Sequence, residues 1–162
     1  MKTLDQSDRK ILHLLQENSR EKLESIASDS GLSVATVQRR IKNFRSSGVI
    51  ERETALISQE ASGYTMTFLI FVEMEQEKSY QLDAFRKKVK AEPQVQQCYY
   101  ITGEADFALV VLGKDVADFE RLTHRLFFED SNVKRFRTSV VMSRTKTGMT
   151  VPLECEGLAT RL

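Results

Sequence analysis

Apolar positions recur at helical spacing through the first fifty residues and at strand-like spacing after them. Leu4, Ile11, Leu12, Leu14 and Leu15 form one helical stripe. Asp5 can cap its start, Asp8 in the first turn suits the helix dipole, and Asn18 and Ser19 end it. Leu23, Ile26 and Ala27 mark a short second helix over about 22–30, broken by Gly31 where a left-handed residue ends a helix. Ser33 is a good N-cap for a third helix, in which Val37, Ile41 and Phe44 recur at i, i+4 and i+7 and Gly48 closes the run. The small Ala27 lets the second and third helices approach, and Gly31 makes the turn between them. The stretch 49–57 is β-prone and reads as a wing or an extended linker strand, with Gly63 marking a boundary.

Beyond Gly63 the pattern changes. Residues 68–74 form a strand, and Leu82, Phe85 and Val89 mark a helix over 79–91 that stops before Pro93. A strand over 95–102, a turn at 103–105 and a strand over 106–112 follow. Asp115 caps a second helix with Val116, Phe119, Leu122 and Leu126 inward, and 136–142 makes the last strand. The order β-α-β-β-α-β is the ferredoxin-like split pattern, a four-stranded antiparallel sheet with both helices on one face. The other face is apolar as well: Leu69 and Phe71 lie opposite Phe68, Ile70 and Val72, and Ala108, Val110 and Leu112 opposite Phe107, Leu109 and Val111. A sheet apolar on both sides needs cover on both. A second copy of the sheet supplies it most simply, giving a dimer; the N-terminal helices folded back over it are the alternative.

Charge adds function to this outline. The net charge of +1 is uninformative, but residues 1–52 carry 10 Lys+Arg against 7 Asp+Glu while 53–162 carry 14 against 16. Within 30–50 there are four cations, Arg39, Arg40, Lys42 and Arg45, and no acid. Such a stripe suits a phosphate-binding element or a solvated helix face. On the third helix Ala35, Thr36, Gln38, Arg39, Arg40, Lys42 and Asn43 point away from the apolar stripe. These residue types read base edges and hold phosphates. Helix, glycine turn and polar-basic helix make a helix-turn-helix, with a plain three-helix bundle as the bland alternative. Ser33, Ala35, Thr36, Gln38, Arg39 and Arg40 are expected in or beside the major groove of double-stranded DNA, with Lys42 and Arg45 nearer the phosphates.

Composition narrows the rest. Apolar runs such as 68–72 are far too short to span a bilayer, and the N-terminus has no apolar signal core, so a cytoplasmic protein with no membrane partner is expected. Cys98 and Cys155 have no CxxC partner, which argues against a structural metal or a disulfide framework. His13 and His124 are the only histidines and read as surface or core-edge residues, leaving little for a metalloenzyme or a hydrolase. No cofactor and no catalytic residue is expected.

Four motifs in order resemble the Lrp/AsnC (feast/famine) family of transcription regulators, over roughly 3–153. They are Leu4-Asp5 with Asp8 and Ile11-Leu12; Gly31-Leu32-Ser33 with Val37, Arg40-Ile41 and Gly48-Val49-Ile50; Ile101-Thr102-Gly103-Glu104-Ala105-Asp106-Phe107; and Lys146-Thr147 with Val151-Pro152-Leu153. The resemblance implies an α+β chain: an N-terminal (winged) helix-turn-helix domain over 1–52, a linker strand over 53–65, a ferredoxin-like βαββαβ sensing and dimerisation domain over 66–153, and a tail over 154–162. It further implies a homodimer that can assemble to an octamer, and an amino-acid effector bound between dimers near the Gly-x-x-Asp turn. Arg40 matches the family's common arginine. Two features depart from the pattern: Lys22-Leu23-Glu24-Ser25-Ile26-Ala27 in the second helix, and the tail.

For the effector site the expected residues are Tyr100, Thr102, Gly103, Glu104, Ala105 and Asp106, with Ser139 as a second wall. A glycine turn exposes backbone N–H groups to a carboxylate, Thr102 can donate, and Asp106 can accept from an ammonium. The same residues also make an ordinary polar hairpin turn. Two other functional classes compete: a nucleoid-organising protein that binds DNA broadly without a ligand, and an enzyme like the sirohaem decarboxylases, which resemble this two-domain architecture. The second would need haem-facing side chains, and this domain offers His124 alone.

Overall fold

A computed structural model describes residues 3–154. They form two compact units, one of residues 3–55 with 147–154 and one of residues 56–146.

The first unit is built from three helices, α1 (Gln6–Glu17), α2 (Leu23–Ser30) and α3 (Val34–Ser46). Asp5 caps α1 reciprocally: the Asp8 N–H donates to Asp5 Oδ1 at 2.7 Å, and the Asp5 N–H donates to Asp8 Oδ2 at 3.1 Å. An aspartate thus fills the role that glutamate usually plays in a capping box. α2 ends at Gly31 with φ +67°, a conformation that glycine adopts without the steric cost of a Cβ, and the Leu32 N–H returns to the Ala27 carbonyl at 3.0 Å. Ser33 caps α3, accepting from the Thr36 N–H at 3.3 Å. The apolar stripes of the three helices meet in one core of Ile11, Leu12, Ile26, Ala27, Val37, Ile41 and Phe44.

The chain returns to this unit near its end. The Gln16 side-chain amide brackets the Val151 backbone, donating to its carbonyl at 3.0 Å and accepting its N–H at 2.7 Å, and Leu153 packs against the helical core. Of the expected tail, Glu154 is described, 3.9 Å from Arg9; 155–162, including Cys155, lie outside the described residues.

The expected wing or linker strand over 49–65 does not form. The Ile50 N–H donates to the Phe44 carbonyl at 3.0 Å as a helix end, and Leu56 and Ile57 stay 92% and 73% exposed. β propensity without a partner strand leaves backbone donors and acceptors unpaired, so local sequence alone does not make a strand here.

The second unit follows the expected βαββαβ order: β1 (Met66–Met74), α4 (Ser79–Ala91), β2 (Val95–Tyr100), β3 (Phe107–Gly113), α5 (Val116–Thr123) and β4 (Val133–Val140). The sheet order is β2-β3-β1-β4, and every neighbouring pair is antiparallel. Phe68, Ile70, Val72 and Met74 of β1 and Phe107, Leu109 and Val111 of β3 turn to one face. There they bury against Leu82, Phe85 and Val89 of α4 and Leu122 of α5. Phe119 stacks on Phe68 with ring centroids 3.9 Å apart.

The second strand stops at Tyr100 rather than 102 and the last runs Val133–Val140 rather than 136–142, and α5 differs in two ways. Val116 is 68% exposed instead of inward, because it lies in the first turn of α5, beside the Asp115 cap. After Thr123 the helix widens into a π turn, His124–Phe128, closed by the Glu129 N–H to the His124 carbonyl at 3.1 Å. The wider turn lets two successive residues, Leu126 and Phe127, both reach the core.

On the opposite face the two central strands, β1 and β3, stay apolar without cover from α4 or α5. Leu69 and Phe71 are 39% and 38% exposed, and they pair with Val110 and Ala108 of β3.

Candidate functional site

Two arrangements of polar groups stand out, one in each unit. The first is the outer surface of α3. With Val37, Ile41 and Phe44 buried, the helical period turns Ala35, Arg39, Lys42 and Asn43 to solvent. Arg39 and Lys42 have no ion-pair partner among the described residues. Gln38 sits on a flank, exposed, where it lines a recess of about 260 Å³ with Leu15, Leu23, Ile26, Ile41 and Arg45. Ser33 and Thr36 are at the N-terminus and are tied to each other, their hydroxyls 2.9 Å apart.

Arg40 departs from its expected place. Its Nη1 lies 2.7 Å from both carboxylate oxygens of Asp5 and 2.6 Å from Asp8 Oδ1, and its side chain is only 23% exposed. The Asp8 N–H and the Arg40 guanidinium together hold the Asp5 carboxyl below the usual range, and the two aspartates push Arg40 up. Arg45 is also paired, through Nε and Nη2 to Glu53 at 3.0 and 2.8 Å, but it is half exposed. The four-cation stripe therefore splits into two unpaired groups and two held ones. No local signal marks this split, because the partners of Arg40 lie 32 and 35 residues away in sequence.

The second arrangement is an open cleft of about 670 Å³ at the end of β1. Of the residues expected at an effector site, Gly103, Glu104, Ala105 and Asp106 line it. Gly103 has φ +117°, a region closed to most side chains. Ala105 is buried, so only its backbone can serve a ligand. Asp106 is partly committed: its Oδ2 accepts the Met74 N–H at 2.7 Å, which fixes the turn to β1. The Tyr100 hydroxyl reaches the cleft's rim indirectly, donating to Glu77 at 3.2 Å, and that bond holds the phenol above its usual range. Thr102 and Ser139 do not line the cleft; Ser139 pairs opposite Leu69, further along β4.

Sequence reasoning missed Glu73, Lys134 and Arg135. The register of β4 shifts between Glu73 and Met74, so that Met74 pairs with Val133 and Glu73 with Arg135. The extra residue, Lys134, is left out of the ladder, and both cations reach one carboxylate, Lys134 at 2.7 Å and Arg135 at 2.5 Å. These bonds keep Glu73 below the usual carboxylate range. A bulge leaves no mark in a short strand pattern. The one local hint is the run Lys134-Arg135, just ahead of the strand expected over 136–142. Glu104 is paired in turn with Arg137 at 2.9 Å.

A capped helix-turn-helix with a basic outer surface, carried on the same chain as a split βαβ domain with a polar cleft, defines a DNA-binding transcriptional regulator with a ligand-binding domain. Comparison with known proteins gives the same result for both units. The family model for the AsnC-type helix-turn-helix domain matches residues 4–45, and that for the Lrp/AsnC ligand binding domain matches residues 67–151. An HTH-type transcriptional regulator of Sinorhizobium fredii is 39% identical over 93% of this chain and 89% of its own length. A transcriptional regulator of Neisseria meningitidis, solved in complex with L-methionine, superposes with a TM-score of 0.87 at 28% identity, over 93% of this chain and 97% of that one. A feast or famine regulatory protein of M. tuberculosis, also complexed with L-methionine, gives 0.82 at 26% identity, over 92% and 99%. The chain belongs to the Lrp/AsnC family of transcriptional regulators. Among the described residues no helix is long and apolar enough to cross a membrane.

Proposed function

We propose that this regulator responds to an amino acid bound in the cleft at the 103–106 turn, and that L-methionine is the first effector to test. The observation that carries this reading is that the cleft's lining holds both signs of charge beside a glycine turn: Lys134 and Arg135, which share Glu73, together with Glu77, Glu104 and Asp106. A free amino acid presents one carboxylate and one ammonium, and needs both signs. Two solved relatives in complex with L-methionine support the choice of first ligand. In this reading Asp106 Oδ1 and Glu104 receive the ammonium. The backbone N–H groups of the turn, with Lys134 or Arg135, receive the carboxylate. Thr102, Tyr100 and Ser139 remain candidates for completing the site from the rim or from another subunit.

On DNA, Ala35, Gln38, Arg39 and Lys42 carry the contacts, with Ser33 and Thr36 presenting the start of α3. Two copies associate through the uncovered face of the sheet, can assemble further to an octamer, and place two recognition helices on a pseudo-palindromic site with half-sites about one helical turn (~34–36 Å) apart. The chain works in the cytoplasm as a regulator and not as an enzyme.

Titration calorimetry with L-methionine and a panel of the common amino acids tests the effector. Heat of binding for one or a few, abolished by Gly103→Val, is the expected result. No heat for any amino acid overturns it. Selection of genomic fragments at fixed salt, with and without the ligand that binds, then tests control: recovery of a few enriched sites should change with the ligand.

A further inference from the structure

We propose that Arg40 is a positioning residue for DNA recognition, which sets α3 against the start of α1, and that its neighbours Arg39 and Lys42, not Arg40, meet DNA. The proposal rests on the reading of α3 as the recognition helix. It assigns different work to groups that the sequence places in one basic stripe.

The geometry is specific. Arg40 Nη1 is shared by three carboxylate oxygens at 2.6–2.7 Å. Those oxygens belong to the two residues that cap α1 reciprocally, so one guanidinium joins the middle of α3 to the first turn of α1. The Asp8 side chain is 12% exposed and that of Arg40 23%. Moving Arg40 to a phosphate would leave two adjacent carboxylates without a counter-charge, one of them largely buried, and removing one partner of such a group is strongly unfavourable. It would also set the more exposed Asp5 near a polyanion. With Arg40 in place, the three groups carry a net charge of −1 at the N-terminus of α1, where the helix dipole favours it. Arg39 and Lys42, one residue before and two after, project about 100° and 200° around the helix from Arg40 and have no such partners.

Substitution separates the two roles, with far-UV circular dichroism at the assay temperature confirming that each variant is folded. A residue that neutralises a phosphate contributes about 0.9 to the slope of log K against log salt for each contact. Lys42→Ala should lower the slope by that amount per recognition helix. Arg39→Ala should lower it likewise, or relax preference at one base position. Arg40→Met should weaken binding to all sequences alike and leave the slope as in the parent. Asp8→Asn gives the sharper result. It makes the protein more positive while keeping an acceptor for the Asp5 N–H, so electrostatics alone would tighten DNA binding. A positioning role predicts weaker binding. If Arg40→Met lowers the slope by one contact while Asp8→Asn binds as tightly as the parent or tighter, the proposal is overturned and the recognition-helix reading stands. If the parent protein retains no fragment above random DNA, that reading falls first.

Discussion

The helical unit and the sheet unit solve the problem of cover differently. In the helical unit three apolar stripes face one another, and the outer surface is left to charge. In the sheet unit the helices cover one face only, and Leu69, Phe71 and their neighbours on β3 are apolar without cover from α4 or α5. The first unit has what it needs within one chain. The second has a stripe that calls for a second copy. In the proposed reading the sheet unit decides assembly, and the helical unit is what assembly positions.

The largest effect is expected at the uncovered face. Leu69→Asp with Phe71→Lys should abolish the dimer and with it tight operator binding. Sedimentation velocity would show a monomer, while the far-UV spectrum stays that of the parent. An unchanged sedimentation coefficient would place the subunit interface elsewhere. One residue along the strand the outcome reverses. Ile70 is fully buried against the helices, and Ile70→Ala should cost about 2–5 kcal/mol in denaturant unfolding. In the helical unit, Asp5→Ala removes a cap worth about 0.5–2 kcal/mol, read from the melting of the helices. The smallest effect is on pH. Asp5 titrates below its ordinary value of about 3.9, so its contribution is fully present above that value and is lost as pH falls through the depressed folded-state value. Acid unfolding of the parent should therefore show a loss of helical stability below about pH 4 that Asp5→Asn lacks.

Local rules explain what was legible. Asp5, Gly31, Ser33, Pro93 and Asp115 act through backbone geometry or caps within a few residues, and the ends of α1, α2, α3, α4 and α5 fall where those residues put them. The antiparallel sheet follows from the βαββαβ order of elements, and the two-faced character of β1 and β3 from period-two alternation. What stayed hidden depends on distance or on a change of period. The bond from Arg40 to Asp5 and Asp8 joins residues more than thirty apart. The π turn at His124–Phe128 keeps Leu126 where an α-helix would also bury it, so only Phe127 shows the difference. At the cleft beside β1 the glycine turn is legible, but Glu73, Lys134 and Arg135 come together through a bulge that pairing alone reveals. The stretch 49–57 has the composition of a strand and lacks a partner to make it one.

The return of residues 147–154 to the helical unit has a consequence for synthesis. The chain emerges from the ribosome N-terminus first, at about 5–20 residues per second. The three helices appear early, but the segment that Gln16 grips and the Leu153 that packs on their core are made only after all of residues 56–146. The DNA-reading unit is thus assembled from the two ends of a sentence with the sensor as its middle clause. A nascent chain has its sensing sheet in hand before its DNA-reading unit acquires its final piece.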